Sequence, residues 1–133
     1  MTTPRSALTA LALLLAPLPA VADANRDEQI KIQAGEAFFA SDCRRCHATD
    51  ADRASYGPLL DGVVGRMAGK YPDYPYSDAL ANAGFVWSEG ALKAWMEDNT
   101  GLLPGTKMRH VGITDPVVQD FILAYLKSLA TAK

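Results

Sequence analysis

Three residues within five positions carry the first chemistry in this chain: Cys43, Cys46 and His47, in the stretch CRRCH. They include both cysteines of the 133 residues and one of the two histidines, the other being His110. Four chemistries use thiols and an imidazole this way. A zinc site takes about four N or S ligands, and one site would consume Cys43, Cys46, His47 and His110 together. A redox-active C-x-x-C dithiol belongs in a βαβ setting. A structural disulfide across two intervening residues closes a very small loop and stabilises little. The fourth is attachment of a c-type haem, for which C-x-x-C-H is the pattern. Each thiol adds to one porphyrin vinyl group, and the short turn aims the next residue at the iron. His47 would then be the proximal imidazole, with Arg44 and Arg45 pointing away from the ring.

A haem so held needs a second axial ligand if it is to stay closed. A thioether is soft, favours ferrous iron and raises the potential of a His-ligated haem. Met1 is the initiator, Met96 falls on a helix face, and Met67 sits in a long loop. Met108 lies in PGTKM, a stretch shaped by a proline and a glycine. Methionine usually serves as core filler, but that loop setting favours Met108 as the sulfur ligand.

The elements that must position these groups read as helices and loops. Residues 26–40, RDEQIKIQAGEAFFA, have Asp27 and Glu28 near the start, where acids suit the helix dipole. Ile32, Gly35 and Phe39 share one face. A glycine mid-helix costs about 1 kcal/mol relative to alanine and leaves room for a second helix to approach. Residues 56–76, YGPLLDGVVGRMAGKYPDYPY, hold four glycines and three prolines and read as loop. A loop this long in a compact domain is unusual; a bound object inside it would account for it. A short helix is expected over Ser77–Ala83, ended by Gly84. Ser88 can cap a helix running to about Asp98, with Leu92, Trp95 and Met96 as its apolar face and Glu89–Lys93 as an i,i+4 pair. Residues 101–113 are loop again. Asp115-Pro116 opens a last helix with the proline where its missing N–H is harmless. Val118, Phe121, Ile122, Tyr125 and Leu129 then form its core face, the natural partner of the first helix. The sum is an all-α chain of three or four helices with long Gly–Pro loops and no convincing strand.

The first 22 residues stand apart from this pattern. Arg5 precedes a largely apolar run of ten residues, ALTALALLLA, and PLPAVADA follows with small residues at cleavage spacing. This is the pattern of a secretory signal peptide. A membrane span needs about 20 apolar residues, so an anchor is disfavoured and no stable membrane insertion is expected. Cleavage after Ala22, or alternatively Ala24, is expected; the first leaves residues 23–133 as a single domain. The formal net charge of −2 argues against nucleic acid as a partner, because phosphate backbones select a basic face. The leader holds one arginine and no acid, so its loss makes the balance more negative still.

GEAFFASDCRRCH, YGPLLDGVVGR, YPYSDAL, FVW and PGTKM occur in an order that resembles the class I cytochromes c, the soluble single-haem type of mitochondria and bacteria. The resemblance runs from about Gly35 to Leu129. It implies the cytochrome c fold: three to five helices, with loops wrapped around one covalently bound haem. It also implies that Cys43 and Cys46 carry haem c and that His47 and Met108 ligate its iron. By the same resemblance, Pro58 holds the other imidazole nitrogen of His47 through its carbonyl. Arg66, Tyr76 and Trp87 engage the haem propionates, Tyr74 lies in the same loop, Thr106 lines the haem near the methionine, and Gly35 and Phe39 pack near Tyr125. Three positions depart from the family pattern. Trp95 stands where a tyrosine near the methionine sulfur is usual, and an indole offers only an N–H donor. Leu80 replaces a common buried asparagine. His110 replaces the aromatic, usually phenylalanine, two places after the methionine. Lysines common around the haem edge are mostly missing, with Asp42, Thr100, Thr114 and Asp115 near such places and Lys107 remaining.

The function the resemblance implies is a periplasmic one-electron carrier, not an enzyme, and a monomer. A bc-type complex or dehydrogenase would be its donor, and an oxidase or reductase its acceptor. Two alternatives stay open. One is a haem enzyme or sensor in which Met108 leaves the iron, where an imidazole at His110 could replace the methionine or move a proton. The other is a dedicated cytochrome subunit of one periplasmic dehydrogenase.

Overall fold

The computed structural model describes residues 20–50 and 57–131. Of the expected leader, residues 1–19 lie outside the described residues, as does Tyr56 at the head of the first long loop. Five helices follow in order: α1 over Ala20–Asp42, α2 over Arg44–His47, α3 over Asp78–Ala81, α4 over Glu89–Leu102 and α5 over Pro116–Thr131. No strand occurs among the described residues, where the single β feature is an isolated antiparallel bridge between Met67 and Val86. The fold is all-α, as the periodicities predict.

Helix α1 begins six residues earlier than expected. Its first turns contain three alanines, the strongest helix former, so AVADA is part of the helix. The chain then turns at Cys43 into α2, which the sequence reading missed. Cys43 donates its N–H to the Phe39 carbonyl at 2.9 Å and accepts at its own carbonyl from His47 N–H at 3.0 Å. The last turn of α1 therefore passes directly into the turn that carries the histidine.

Helices α1 and α5 cross in close contact. A Cβ at Gly35 would run into the backbone carbonyl of Phe121 and the Cβ of Tyr125, so the glycine is what lets the two backbones meet. Phe39 packs on Tyr125 with ring centres 5.2 Å apart, and Phe38 stacks over Phe121 at 6.4 Å. The buried face of α5 is wider than the expected stripe, since Leu123 and Leu126 join Ile122 in the core. Its start is capped by Asp115, whose carboxylate accepts from Val117 N–H at 2.8 Å.

Helix α3 is shorter than predicted and is capped by Ser77, whose hydroxyl accepts from Leu80 N–H at 3.2 Å. Helix α4 is capped by Ser88 at Ala91 N–H, 3.1 Å, and runs past its expected end to Leu102. It is not straight: Asp98 has φ −151° and ψ 89°, an extended residue inside the helix. Its carboxylate accepts from Gly101 N–H at 2.8 Å and Thr100 Oγ1 at 3.0 Å, so Asp98 recaps the final turn. The expected Glu89–Lys93 pair does not form. Glu89 pairs instead with Lys127 at 2.9 Å, and Lys93 with Asp120. Both reach across to α5, because packing α4 against α5 places those charges nearer than the next turn of the same helix.

Candidate functional site

The thiols come first. Cys43 sits at the N-cap of α2 and Cys46 within it, and both are free. The Cys43 thiol is pushed up to about 12, chiefly by burial, then by Asp42 and Cys46. A thiol held protonated in this way is a poor nucleophile for redox exchange. Among the described residues, no three of His, Cys, Asp and Glu converge as a metal site. The zinc and dithiol readings therefore find no support in the geometry.

His47 ends α2 with its ring pinned. Its Nδ1 lies 2.7 Å from the carbonyl oxygen of Pro58. Only a protonated nitrogen can donate to a carbonyl, so Nδ1 carries the hydrogen and Nε2 keeps its lone pair. Burial holds the imidazole below its ordinary pKa, with the Pro58 bond opposing and His110 adding to the shift. The ring is thus neutral at neutral pH. Gly57 closes this side, since a Cβ there would occupy the space of the His47 ring. The Gly57 N–H also bonds the Cys46 carbonyl at 3.0 Å. The glycine before Pro58 is a site residue that the sequence reading passed over; the Gly-Pro pair in YGPLL was its signal.

The sulfur of Met108 is held from α4. Trp95 donates Nε1–H to Met108 Sδ at 2.9 Å, so the indole that departs from the family pattern still spends its one donor on the thioether. Asn99, buried on the same helix, donates Nδ2–H to the Met108 carbonyl at 2.9 Å. No pattern in the sequence marked Asn99, because a polar residue near a helix end reads as surface. Thr106 is fully buried at the entry to this loop, and its carbonyl accepts from Arg109 at 2.6 Å.

The Met96 carbonyl ties the same loop down. It accepts from Ile113 N–H at 2.8 Å and lies 3.0 Å from His110 Nε2. The other ring nitrogen of His110, Nδ1, is buried and has no partner among the described residues.

The remaining expected residues fall into small contact groups. Trp87 is buried with its ring 5.0 Å from Trp95 and 4.8 Å from Phe85. Tyr74 and Tyr76 meet edge to face at 4.6 Å. The Arg66 guanidinium donates to the carbonyls of Asp61 at 3.0 Å and Leu59 at 3.2 Å and lies over the Tyr71 ring at 4.9 Å. It touches the Tyr76 environment electrostatically, and two of its five N–H donors are accounted for by those bonds. Leu80 is buried. Lys107 donates to the Pro75 and Tyr76 carbonyls at 2.8 and 3.3 Å, linking the two long loops.

These donors suit a covalently anchored haem. Two thiols stand one turn apart, followed by an imidazole whose Nδ1 is oriented by a carbonyl and whose Nε2 keeps its lone pair. A thioether is oriented from a different helix. Soft sulfur with imidazole is the donor set of low-spin electron-transfer haems.

Comparison with known proteins agrees. The model of the family described as "Cytochrome c" matches residues 32–130. The chain is 40% identical over 95 residues to cytochrome c2 of Rhodopila globiformis, covering 71% of this chain and 90% of that one. It is 39% identical over 87 residues to cytochrome c2 iso-2 of Magnetospirillum fulvum, covering 65% and 91%. Among solved structures, cytochrome cH from Methylobacterium extorquens superposes with a TM-score of 0.66 at 43% identity, covering 73% of this chain and 97% of that one. The chain thus belongs to the cytochrome c family, electron-transfer proteins rather than enzymes, and its cofactor is one haem c attached through the cysteine pair Cys43 and Cys46.

Proposed function

We propose that the protein is a periplasmic one-electron carrier whose haem iron is held between His47 and Met108. The haem supplies a single reversible redox centre; the chain's own residues set how it behaves. The Pro58 carbonyl fixes the His47 tautomer, as a ligand's outer partner does. Trp95 orients the thioether and withdraws electron density from it, and Asn99 holds the backbone that carries it. Arg66, Tyr76 and Trp87 serve the propionates, with Tyr74 and Thr106 lining the pocket. With His47 and Met108 both on the iron, no coordination position would be left for a substrate, and the group would supply electron transfer alone. The electron passes at the edge near the loop of residues 107–110 through a brief contact, and small interfaces suit fast exchange. A bc-type complex or dehydrogenase is the donor, and an oxidase or reductase the acceptor. Residues 1–22 act as the export signal and are removed, leaving a monomeric domain from residue 23.

The observation that carries this reading is the pairing of a carbonyl-pinned His47 next to two free thiols with a thioether oriented by Trp95. The test is the visible spectrum of protein matured in a host that attaches c-type haem. A two-thioether pyridine haemochrome with the weak far-red sulfur-to-iron band in the oxidised form is expected. The reduced protein is expected not to bind carbon monoxide; ready binding would show an open iron site and a different function.

A further inference from the structure

Both histidines of this chain are built in the same way. In His47, Nδ1 faces a backbone carbonyl, so Nε2 is the nitrogen that keeps its lone pair. In His110, Nε2 faces the Met96 carbonyl at 3.0 Å, so it must carry the hydrogen and Nδ1 is the bare nitrogen. That Nδ1 is buried and unpartnered among the described residues. Leaving a buried acceptor unsatisfied is costly, and such a group calls for a reason. An imidazole with one N–H tied to a carbonyl and the other nitrogen free is the form in which histidine ligates metals.

Position supplies the rest. His110 is two residues beyond Met108 on one short loop. That loop is anchored from α4 at both ends of the interval: Asn99 holds the Met108 carbonyl, and the Met96 carbonyl holds His110 and Ile113.

We propose that His110 is a standby axial ligand, whose Nδ1 binds the haem iron when the Met108 thioether is lost. This rests on the reading of Met108 as the resting ligand. The replacement keeps the iron six-coordinate, so loss of the sulfur closes the site with a second imidazole instead of opening it to peroxide or gases. The Nε2–H bond to Met96 serves the same orienting role in that state as the Pro58 bond serves for His47. With nitrogen on both sides, the iron would fall to a lower potential than with sulfur.

The test uses haem-loaded, oxidised Met108→Ala protein, with Met108→Leu as a second variant that preserves side-chain volume. Each is expected to lose the far-red sulfur band yet remain low-spin, with the electron paramagnetic resonance signature of two nitrogen axial ligands. Adding His110→Phe to either is expected to convert the iron to high-spin. It should also tighten azide binding by about tenfold or more, since a ligand that occupies nine-tenths of the iron weakens a competitor by that factor. His110→Phe alone is expected to keep the sulfur band. High-spin iron in the single Met108 variants overturns the standby role while leaving Met108 as the resting ligand. A low-spin state that survives His110→Phe overturns it too, by showing that another side chain fills the position. A wild-type spectrum with no sulfur band, unchanged by Met108→Ala, overturns the resting-ligand reading and the standby role with it.

Discussion

At Gly57 a single methyl group decides where the His47 ring can stand. A Cβ there would overlap the imidazole, and overpacking of this kind costs about 1–3 kcal/mol. Gly57→Ala is therefore expected to lower the unfolding free energy by that amount and to reduce the yield of haem-loaded protein, read from the haem-to-protein absorbance ratio. Trp95 acts at the other ligand. Removing its N–H in Trp95→Phe forfeits one hydrogen bond, worth about 0.5–1.5 kcal/mol. It also returns electron density to the Met108 sulfur, which then favours ferric iron more. The midpoint potential is expected to fall, by voltammetry, while the sulfur band remains; an unchanged potential would show that the Trp95–Met108 contact has no electronic role.

At the scale of elements, the kink in α4 is what couples the helix to the methionine loop. The extended Asp98 interrupts the helix just beyond Met96, whose carbonyl accepts from Ile113 and faces His110. Asp98 recaps the turn that follows, and the bonds from Gly101 and Thr100 hold its carboxyl below the ordinary value. A depressed carboxylate contributes stability that is complete above its unfolded pKa and is lost as pH falls through its folded one. Asp98→Ala is expected to melt lower than wild type at neutral pH, and the gap should narrow as pH falls below about 3.9, the ordinary aspartate value, and close below the depressed folded one. A gap that persists there would assign the effect to the backbone rather than the carboxylate. The α1–α5 crossing is the second element-level joint. Gly35→Ala places a methyl against the Phe121 carbonyl and is expected to cost about 1–3 kcal/mol in denaturant titration, with no change in the haem spectrum.

For the whole molecule, the protein's own core is modest. Among the described residues, Ile122 is the one large side chain below 2% exposure, and the long loops contribute only a few buried residues such as Val63 and Ala68. Stability therefore depends on the cofactor, in the way that a ligand bound only to the native state adds its binding free energy to folding. A Cys43→Ala, Cys46→Ala protein freed of haem is expected to lose its cooperative thermal transition and most of its helical circular dichroism. A sharp transition in that protein would show that the helices pack without the cofactor. The three cross-helix and surface ion pairs, Arg44–Asp50, Lys93–Asp120 and Lys127–Glu89, are exposed and contribute little each, so raising the salt concentration is expected to move the holoprotein's melting point only slightly.

The amino-acid sequence by itself determined the attachment chemistry, the all-α class, the helices around Phe39, Trp95 and Ile122, and the resemblance to one family. Those features are local: C-x-x-C-H is set by covalent spacing, and amphipathic helices announce themselves through their period. Tertiary structure decided what depends on one segment meeting another. It turned α2 out of RRCH, bent α4 at Asp98, and moved the ion pairs of Glu89 and Lys93 across to α5. It also gave Gly57 and Asn99 their places beside His47 and Met108, and left one nitrogen of His110 buried and bare. The ion pairs, Gly57, Asn99 and His110 cannot be read from spacing along the chain, because each depends on a contact between residues separated in sequence, chosen by which carbonyls and donors the packed helices bring within hydrogen-bond reach.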